Sequence, residues 1–327
     1  MIGNPIARFC QRLERFPVDL LEPMGGPAAG WERTGHAACG RPKAIDETTS
    51  RQSILCDRRL TEHKYFSAAW ITRPMPKLEV NGFSMFYETS GLGQPILFIP
   101  GALGSGRIDF KDQLPWFSQT FRVIAPDAGG YGESRPPERD YPLDFYQRDA
   151  EDMLALMTAL GHDEFSIAGW SDGANIGVLM AAKCPERIHR LVIWGGNSYL
   201  SAEEIVAFQA VRSIASWSQR AAAAMRQIYG DSLDGLWEQY VVGLEELYKA
   251  GGEIYRSQLN RVKCPTLILH GEKDPLVPSF HPRTIHQGIQ GSVLHIFPEG
   301  KHNIHAKYAA EFNQWTSSFV ASQSPRL

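Results

Sequence analysis

The sequence predicts an α/β protein with an eight-stranded, mostly parallel sheet, helices on both faces and an inserted helical cap. From Lys77 onward, short apolar runs rich in β-branched and aromatic residues alternate with helical patterns. The later runs are continuously apolar, which is typical of parallel strands buried on both faces. One long segment, residues 201–262, has helical patterns and no good strand pattern, and it therefore predicts the cap.

The predicted strands begin with a hairpin, because Asn81-Gly82 is a strong type I′ turn signal between two β-rich runs. The strands in order are Leu78–Val80, Phe83–Glu88, Ile96–Pro100, Phe121–Pro126, Phe165–Ala168, Leu191–Trp194, Thr266–His270 and Val293–Phe297. The helical patterns between and after them are Leu143–Leu160, Ala174–Lys183, Thr284–Gly288 and Ala306–Phe319. Alternation of this kind predicts crossover connections between parallel strands.

The composition changes near residue 75, which predicts a boundary there. Residues 1–75 hold 11 Lys and Arg against 8 Asp and Glu, and they form an N-terminal extension that is either poorly ordered or a targeting segment. Its one amphipathic stretch places Ile6, Phe9, Leu13 and Phe16 on one helical face. Mitochondrial and cytoplasmic locations both stay open. The α/β core is predicted over residues 76–200 and 263–322.

Composition excludes several classes of function. The 327 residues carry 33 Lys and Arg against 36 Asp and Glu, so the net charge of −3 argues against a basic surface for nucleic acid. No apolar run reaches the length that a membrane-spanning helix requires. The five cysteines show no metal-binding spacing and no disulfide framework. We expect a monomer that acts on a small molecule and requires no metal or organic cofactor.

The motif Gly169-Trp-Ser-Asp-Gly173 follows a predicted strand and opens a predicted helix. A serine on such a tight turn is held in a strained backbone conformation, and the flanking glycines leave room for the chain to turn. The helix N-terminus supplies N–H groups and positive potential where an oxyanion would form. The pattern predicts Ser171 as a nucleophile.

A nucleophilic serine needs a general base and an acid that orients this base. In strand-turn-helix sites of this kind, the acid and then the histidine follow the serine along the chain. Asp274 follows the strand that ends at His270, with Glu272 as the competing acid, and His302 follows the last strand. We predict Asp274 as the acid and His302 as the base. His305 should begin the closing helix, while His270 and His295 should be strand residues.

The oxyanion should be held by two backbone N–H groups. One belongs to Asp172, which directly follows the nucleophile, and the second should come from the glycine-rich loop Pro100–Gly106. Within this loop Ala102 is the candidate donor. The alternative of a flexible turn stays open, whereas a phosphate-binding loop is disfavoured because no Lys-Ser or Lys-Thr follows the glycines.

These motifs resemble the α/β-hydrolase superfamily, and within it the biphenyl hydrolase-like proteins, also called valacyclovir hydrolases. The matching segments, spread over about residues 77–320, are Pro100-Gly-Ala-Leu-Gly-Ser-Gly106, Gly130-Tyr-Gly-Glu-Ser-Arg-Pro-Pro137, Gly169-Trp-Ser-Asp-Gly173, Val192-Ile-Trp-Gly195, His270-Gly-Glu-Lys-Asp-Pro-Leu-Val-Pro278 and Pro298-Glu-Gly-Lys-His-Asn303. The resemblance implies Ser171, Asp274 and His302 as a catalytic triad, with Ala102 and Asp172 as oxyanion donors.

The resemblance also implies a preference for esters whose acyl group carries a free α-amine, with Asp172 as the substrate-binding residue. A carboxylate next to the nucleophile can pair with an ammonium close to the scissile carbonyl, and a charge-assisted hydrogen bond contributes about 1.5–3 kcal/mol. The competing interpretation is an acid that stabilises the helix dipole. Alternative functions are a lactone, thiolactone or carbon–carbon bond hydrolase of the same fold, or a ligand-binding module without catalysis.

Overall fold

The computed structural model describes residues 76–322. The predicted N-terminal extension, with its amphipathic stretch and its targeting interpretation, lies outside the described residues. The description below therefore concerns the predicted core and the segment 201–262, which we call the inserted segment.

The described chain forms one eight-stranded sheet with the strand order β1-β2-β4-β3-β5-β6-β7-β8. The strands are β1 Lys77–Val80, β2 Phe83–Ser90, β3 Pro95–Ile99, β4 Arg122–Pro126, β5 Phe165–Trp170, β6 Ile188–Trp194, β7 Thr266–Gly271 and β8 Val293–Phe297. Strand β2 pairs antiparallel with β1 and β4, and every other pairing is parallel. The prediction of an eight-stranded, mostly parallel sheet is confirmed.

Local residue chemistry explains both the hairpin and the buried centre of the sheet. Asn81 and Gly82 have φ values of 48° and 91°, as a type I′ turn between β1 and β2 requires. In the centre of the sheet, Ile96–Ile99 of β3 are 0% exposed. Such continuous burial matches the unbroken apolar run of this strand and requires helices on both faces.

Helices flank the sheet on both faces, and each is named here in chain order. They are α1 Gly106–Asp109, α2 Leu114–Phe117, α3 Phe145–Ala159, α4 Asp172–Lys183, α5 Ala202–Ala210, α6 Gln219–Tyr229, α7 Leu233–Lys249, α8 Phe280–Gly288, α9 Ile304–Lys307 and α10 Ala309–Val320. Short 3-10 turns cover Ile214–Ser216, Gly230–Ser232 and Arg256–Arg261. Within residues 76–322, no helix combines the length and apolar character needed to cross a bilayer.

Two details differ from the prediction. The single closing helix predicted over Ala306–Phe319 is divided into α9 and α10 at Tyr308, whose φ of −116° and ψ of 41° interrupt the helical backbone. Helices α1 and α2 have four residues each and were not predicted, because four residues are too few to show a helical periodicity. The inserted segment contains α5, α6 and α7 and no strand, apart from an isolated bridge of Glu253 to Tyr199.

Candidate active site

Ser171 lies in the turn between β5 and α4, at the carboxyl edge of the sheet. Its φ of 56° and ψ of −120° are unusual for a residue with a side chain. A Cβ atom at Gly169 would lie 2.2 Å from the carbonyl oxygen of Gly173, and a Cβ at Gly173 would lie 2.0 Å from that of Ile99. The spacing of glycines around Ser171 is therefore a steric requirement of the turn. The Ser171 N–H donates to the Trp194 carbonyl oxygen at 2.9 Å, which anchors the turn to β6.

The structure brings Ser171, His302 and Asp274 together in one hydrogen-bonded chain. His302 Nε2 lies 3.0 Å from Ser171 Oγ, and His302 Nδ1 lies 2.7 Å from Asp274 Oδ2. The side chains of His302 and Asp274 are 11% and 1% exposed. Asp274 Oδ1 accepts the N–H groups of Leu276 and Val277 at 2.9 and 3.1 Å, so both carboxylate oxygens have partners. This arrangement can accept the proton of the serine and stabilise the resulting imidazolium.

The electrostatics of the pair favour the charged forms. Burial acts to raise the pKa of Asp274, but the charge of His302 and the hydrogen bonds to the carboxylate lower it below 3.8 overall. Burial acts to lower the pKa of His302, but the charge and hydrogen bond of Asp274, together with the charge of Asp172, raise it above 6.5 overall. The imidazole therefore gains basicity where a general base is required.

The competing acid and the other histidines lie elsewhere. Glu272 is 3.5 Å from Arg283, and Asp274 is the acid that contacts His302. His305 is in α9, where Trp194 Nε1 donates to its Nδ1 at 2.9 Å and burial lowers its pKa to about 3. His270 is 1% exposed at the end of β7, with a pKa that burial lowers to about 4.

The two predicted oxyanion donors, the N–H groups of Ala102 and Asp172, lie on the segments that flank Ser171. Asp172 is the first residue of α4, and Ala102 follows Gly101 in the loop after β3. This loop packs against the nucleophile, because a Cβ at Gly101 would lie 3.1 Å from Ser171 Cβ. Within the described part of the chain, neither the Ala102 N–H nor the Asp172 N–H donates a hydrogen bond. Both donors are therefore available to a ligand.

The side chain of Asp172 has two tyrosine partners on a single oxygen. Asp172 is 6% exposed, and the hydroxyls of Tyr146 and Tyr240 donate to its Oδ1 at 2.8 and 2.9 Å. Its Oδ2 accepts no hydrogen bond from any residue that the structure describes. Burial raises the pKa of Asp172 from 3.8 to about 6, although the two tyrosine hydroxyls oppose the shift. The carboxylate thus keeps one oxygen free for a hydrogen-bond donor.

Arg139, a buried cation that acts on Asp172 through space, is already paired. Arg139 contacts both oxygens of Asp149 at 2.7 Å, and the two side chains are 2% and 4% exposed. The guanidinium also lies over the rings of Tyr131 and Tyr141 at 4.5 and 5.2 Å. Arg139 lowers the pKa of Asp172 through space, but its charge is matched by Asp149. The buried group of Arg139, Asp149 and Asp172 therefore carries a net negative charge when all three are ionised.

Tyr146, Tyr240 and Arg139 were missed at the level of sequence. Tyr240 is 68 positions from Asp172 along the chain, and Tyr146 is 26 positions away. No local motif includes these residues. The only signal in the sequence is a tyrosine or arginine that falls within a helical pattern at a position expected to be buried.

Within residues 76–322, no group of three His, Cys, Asp or Glu side chains is arranged to hold a metal ion.

Comparison with known proteins identifies the family. Residues 94–212 match a family model described as the alpha/beta hydrolase fold. The chain is 44% identical over 248 residues to the serine hydrolase BPHL of Homo sapiens, a match that covers 75% of this chain and 85% of the relative. It is 29% identical over 267 residues to the 2-hydroxymuconate semialdehyde hydrolase of Pseudomonas putida, covering 73% of this chain and 92% of the relative.

Solved structures share the fold at low identity. The meta-cleavage product hydrolase CumD of Pseudomonas fluorescens superposes with a TM-score of 0.64 at 21% identity, over 75% of this chain and 96% of that chain. The enol-lactonase of Burkholderia xenovorans superposes with a TM-score of 0.62 at 21% identity, over 76% and 100%. With the sheet order and the match to BPHL, these findings lead to one conclusion: the chain belongs to the BPHL-like serine hydrolases of the α/β hydrolase fold.

Proposed function

We propose that the protein cleaves carboxylic esters through an acyl-enzyme intermediate, with Ser171 as nucleophile, His302 as general base and Asp274 as the acid that orients it. The observation that carries the proposal is the hydrogen-bonded chain from Ser171 Oγ to His302 at 3.0 Å and on to Asp274 at 2.7 Å. The shifted pKa values of His302 and Asp274 support the same roles.

The acylation step begins when His302 Nε2 removes the Ser171 hydroxyl proton while Oγ attacks the ester carbonyl carbon. The carbonyl electron pair moves onto oxygen, and the N–H groups of Ala102 and Asp172 hold the resulting oxyanion. The imidazolium, stabilised by Asp274, then gives its proton to the leaving alcohol. The tetrahedral intermediate collapses to an ester between the acyl group and Ser171.

The deacylation step repeats these roles with water in place of serine. His302 removes a proton from water, and the oxygen of this water attacks the acyl-enzyme carbonyl. The second oxyanion is held by the same two N–H groups, and His302 returns its proton to Ser171 Oγ. Removal of an oxyanion donor in serine hydrolases costs about 10²–10³-fold in kcat, so these contacts are a large part of the proposed mechanism.

The preferred acyl group is an α-amino acid. Asp172 follows the nucleophile, its Oδ2 accepts no hydrogen bond from the described residues, and the nearby Arg139 is matched by Asp149. A substrate ammonium would supply the missing positive charge and donate to Oδ2. Without such a cation, a carboxylate beside a forming oxyanion would raise the barrier. A charge-assisted hydrogen bond corresponds to about one to two decades in selectivity.

We propose the inserted segment as the cap of the site, which would form its roof and select the leaving group. Tyr240 of α7 reaches Asp172, and Tyr229 of α6 reaches the loop after β3, so two helices of this segment contact the candidate site. This supports the division into a core over residues 76–200 and 263–322 and a cap over 201–262.

The most informative experiment compares one ester series whose acyl groups have a free, an acetylated or no α-amine. We expect kcat/KM to be highest for the free amine by about 10- to 100-fold. Ser171→Ala should abolish turnover of the whole series while the protein stays folded. Turnover that survives Ser171→Ala would refute the acyl-enzyme mechanism, and equal rates across the series would refute the amine preference.

Lactone hydrolysis is the second candidate, and the named activity of one fold neighbour favours it. The Burkholderia xenovorans neighbour is named an enol-lactonase, and an α-amino lactone would satisfy Asp172 as well as an open ester. A carbon–carbon hydrolase is less well supported, because the Pseudomonas putida relative is named for 2-hydroxymuconate semialdehyde, whose remaining carboxylate would be repelled by Asp172. A silent ligand-binding module would leave the Ser171–His302–Asp274 chain without a role.

A further inference from the structure

Tyr229, the last residue of α6, connects the inserted segment to the loop that carries the candidate oxyanion donor Ala102. Its hydroxyl donates to the carbonyl oxygen of Leu103 at 2.8 Å and accepts the N–H of Gly132 at 3.0 Å. Tyr229 is 4% exposed, so both hydrogen bonds are shielded from water. One hydroxyl therefore joins three parts of the chain that are distant in sequence.

Tyr229 holds the carbonyl group of Leu103, and the backbone of Leu103 is in a strained conformation. Leu103 has a φ of 55° and is 1% exposed. Left-handed backbone at a residue with a branched side chain costs about 1 kcal/mol or more and persists only where surrounding contacts impose it. The Leu103 carbonyl belongs to the Leu103–Gly104 peptide unit, and the Gly104 N–H donates to the Gly101 carbonyl oxygen at 3.0 Å across the turn that contains Ala102. The contact with Tyr229 therefore restrains the turn that presents the Ala102 N–H.

The end of α6 is attached to the core by a second side chain. Arg135 Nε donates to the Gly132 carbonyl oxygen at 2.8 Å, and its Nη2 donates to the Ile228 carbonyl oxygen at 3.0 Å. The guanidinium lies 4.8 Å from the centre of the Tyr229 ring. These contacts fix the ring, and the hydroxyl is then directed at Leu103 and Gly132 at little further entropic cost.

The hydroxyl acts as a fixed donor. Burial raises the pKa of Tyr229 well above 10, so the group keeps its proton throughout the working range of a serine hydrolase. The hydroxyl donates its proton to the Leu103 carbonyl oxygen and accepts the Gly132 N–H, and it makes no hydrogen bond to Ser171 or His302 among the described residues. A role in proton transfer is therefore excluded, and a role in geometry remains.

From these contacts we infer that Tyr229 is a positioning residue for the oxyanion hole: it holds the Ala102–Leu103 backbone in place, and it makes the inserted segment part of the catalytic geometry. This inference rests on the proposed role of Ala102 as oxyanion donor. It predicts that a displacement of α6 weakens stabilisation of the transition state even where Ser171, His302 and Asp274 stay in contact.

The test is Tyr229→Phe, assayed on an ester and on the matching thionoester. Sulfur is a weak hydrogen-bond acceptor, so thionoester turnover depends less on oxyanion donors. Loss of a complete donor costs about 10²–10³-fold, and loosening of one donor should lower kcat for the ester about tenfold with KM nearly unchanged. Thionoester turnover should change by less than about twofold. The matched control is Tyr248→Phe, an exposed tyrosine of α7 whose hydroxyl has no hydrogen bond among the described residues.

Equal losses on ester and thionoester, or no loss on either, would overturn the inference. If Tyr229→Phe fails to fold, Arg135→Met loosens the same attachment from the core side, and it should also lower the ester-to-thionoester ratio of kcat. Ser171→Ala separates this inference from the proposed function. An active Ser171→Ala protein refutes the proposed function itself, whereas an inactive one together with an unchanged ratio in Tyr229→Phe refutes the positioning role alone.

Discussion

Asp274 and Asp172 are both shielded carboxylates next to the Ser171–His302 pair, and the protein surrounds them differently. Asp274 has His302 on one oxygen and two backbone N–H groups on the other, and its pKa is below the ordinary value. Asp172 has two neutral hydroxyls on one oxygen and none on the other, and burial raises its pKa to about 6. The first charge is compensated within the protein, while the second is left for a cation from outside.

The difference shows how two acids of the same type can serve different purposes in one site. An internally compensated carboxylate stabilises the fold and holds an imidazolium, and it should matter for every substrate. An uncompensated buried carboxylate costs stability, and it should matter only for a substrate that brings the missing charge. The predictions below separate the two cases, and they begin with the largest expected effect.

Asp274→Asn should lower kcat/KM by about 10³–10⁴-fold for α-amino esters and for plain esters alike, because it removes the group that orients and stabilises the His302 imidazolium. The measurement is steady-state kinetics on both ester types. A loss confined to amino esters would show that Asp274 acts on the substrate and would remove the contrast with Asp172. Glu272→Gln is the matched control, since Glu272 is the solvent-exposed acid of the same loop.

Asp172→Asn should lower kcat/KM for α-amino esters by about 10- to 100-fold and leave plain esters nearly unchanged. The substitution keeps the shape of the side chain and the backbone N–H, so only the charge changes. The same kinetic assays, run on free-amine and amine-free acyl groups, measure the ratio. A comparable loss on plain esters would mean that Asp172 supports the turn around Ser171 and does not select the acyl group.

The two Asn substitutions should shift stability in opposite directions at pH 7. The pKa of Asp172 rises from 3.8 to about 6 on folding, so the folded state binds more protons and loses stability as pH rises through this window. Asp172→Asn should remove a penalty of at most about 3 kcal/mol at pH 7 and less than about 1 kcal/mol near pH 4. Asp274 has a lowered pKa, so Asp274→Asn should destabilise the protein above pH 4.

The free energy of unfolding, measured by urea denaturation at pH 4 and pH 7, checks both signs. A destabilised Asp172→Asn protein at pH 7 would indicate that the carboxylate is compensated after all, by a partner other than the two tyrosines.

Tyr240→Phe should raise the pKa of Asp172 further, because it removes one of the two hydroxyls that oppose the effect of burial. As the pH is lowered, Asp172 should then become protonated, and lose its selectivity for α-amino esters, at a higher pH than in the parent. Between pH 6 and 7 the selectivity of the variant should be several-fold lower than that of the parent. The charged or titratable groups that act on Asp172 or face it are Tyr131, Tyr141, Tyr146, Tyr240, Arg139, Asp149 and His302.

The pH profile of the kcat/KM ratio, compared with that of the parent on the same substrates, cancels the ionisation of the substrate amine. Tyr248→Phe on the same helix is the control, and it should leave the profile where it was. An unshifted profile in Tyr240→Phe would show that burial alone sets the ionisation of Asp172.

Local sequence carried much of the fold and part of the candidate site. Asn81-Gly82 determines the hairpin, because only residues that tolerate positive φ form that turn. Gly169 is required by its contact with Gly173, four residues further on, whereas Gly173 is required by the carbonyl oxygen of Ile99 on the neighbouring strand. Chain order and strand-end position then predicted Asp274 and His302, since parallel strands present their carboxyl ends at one edge. The short helices α1 and α2 and the interruption at Tyr308 had no periodic signal and were not predictable in this way.

By itself, the sequence determined where a serine could be placed on a strained turn and which acid and histidine could follow it, because those properties depend on backbone sterics and on strand order. Only the tertiary structure decided the ionisation of Asp172 and the attachment of the Leu103 loop. Both depend on desolvation and on single hydroxyls that Tyr146, Tyr240 and Tyr229 bring from distant helices. Interactions of this kind act over a few ångströms in space and leave no regular spacing along the chain.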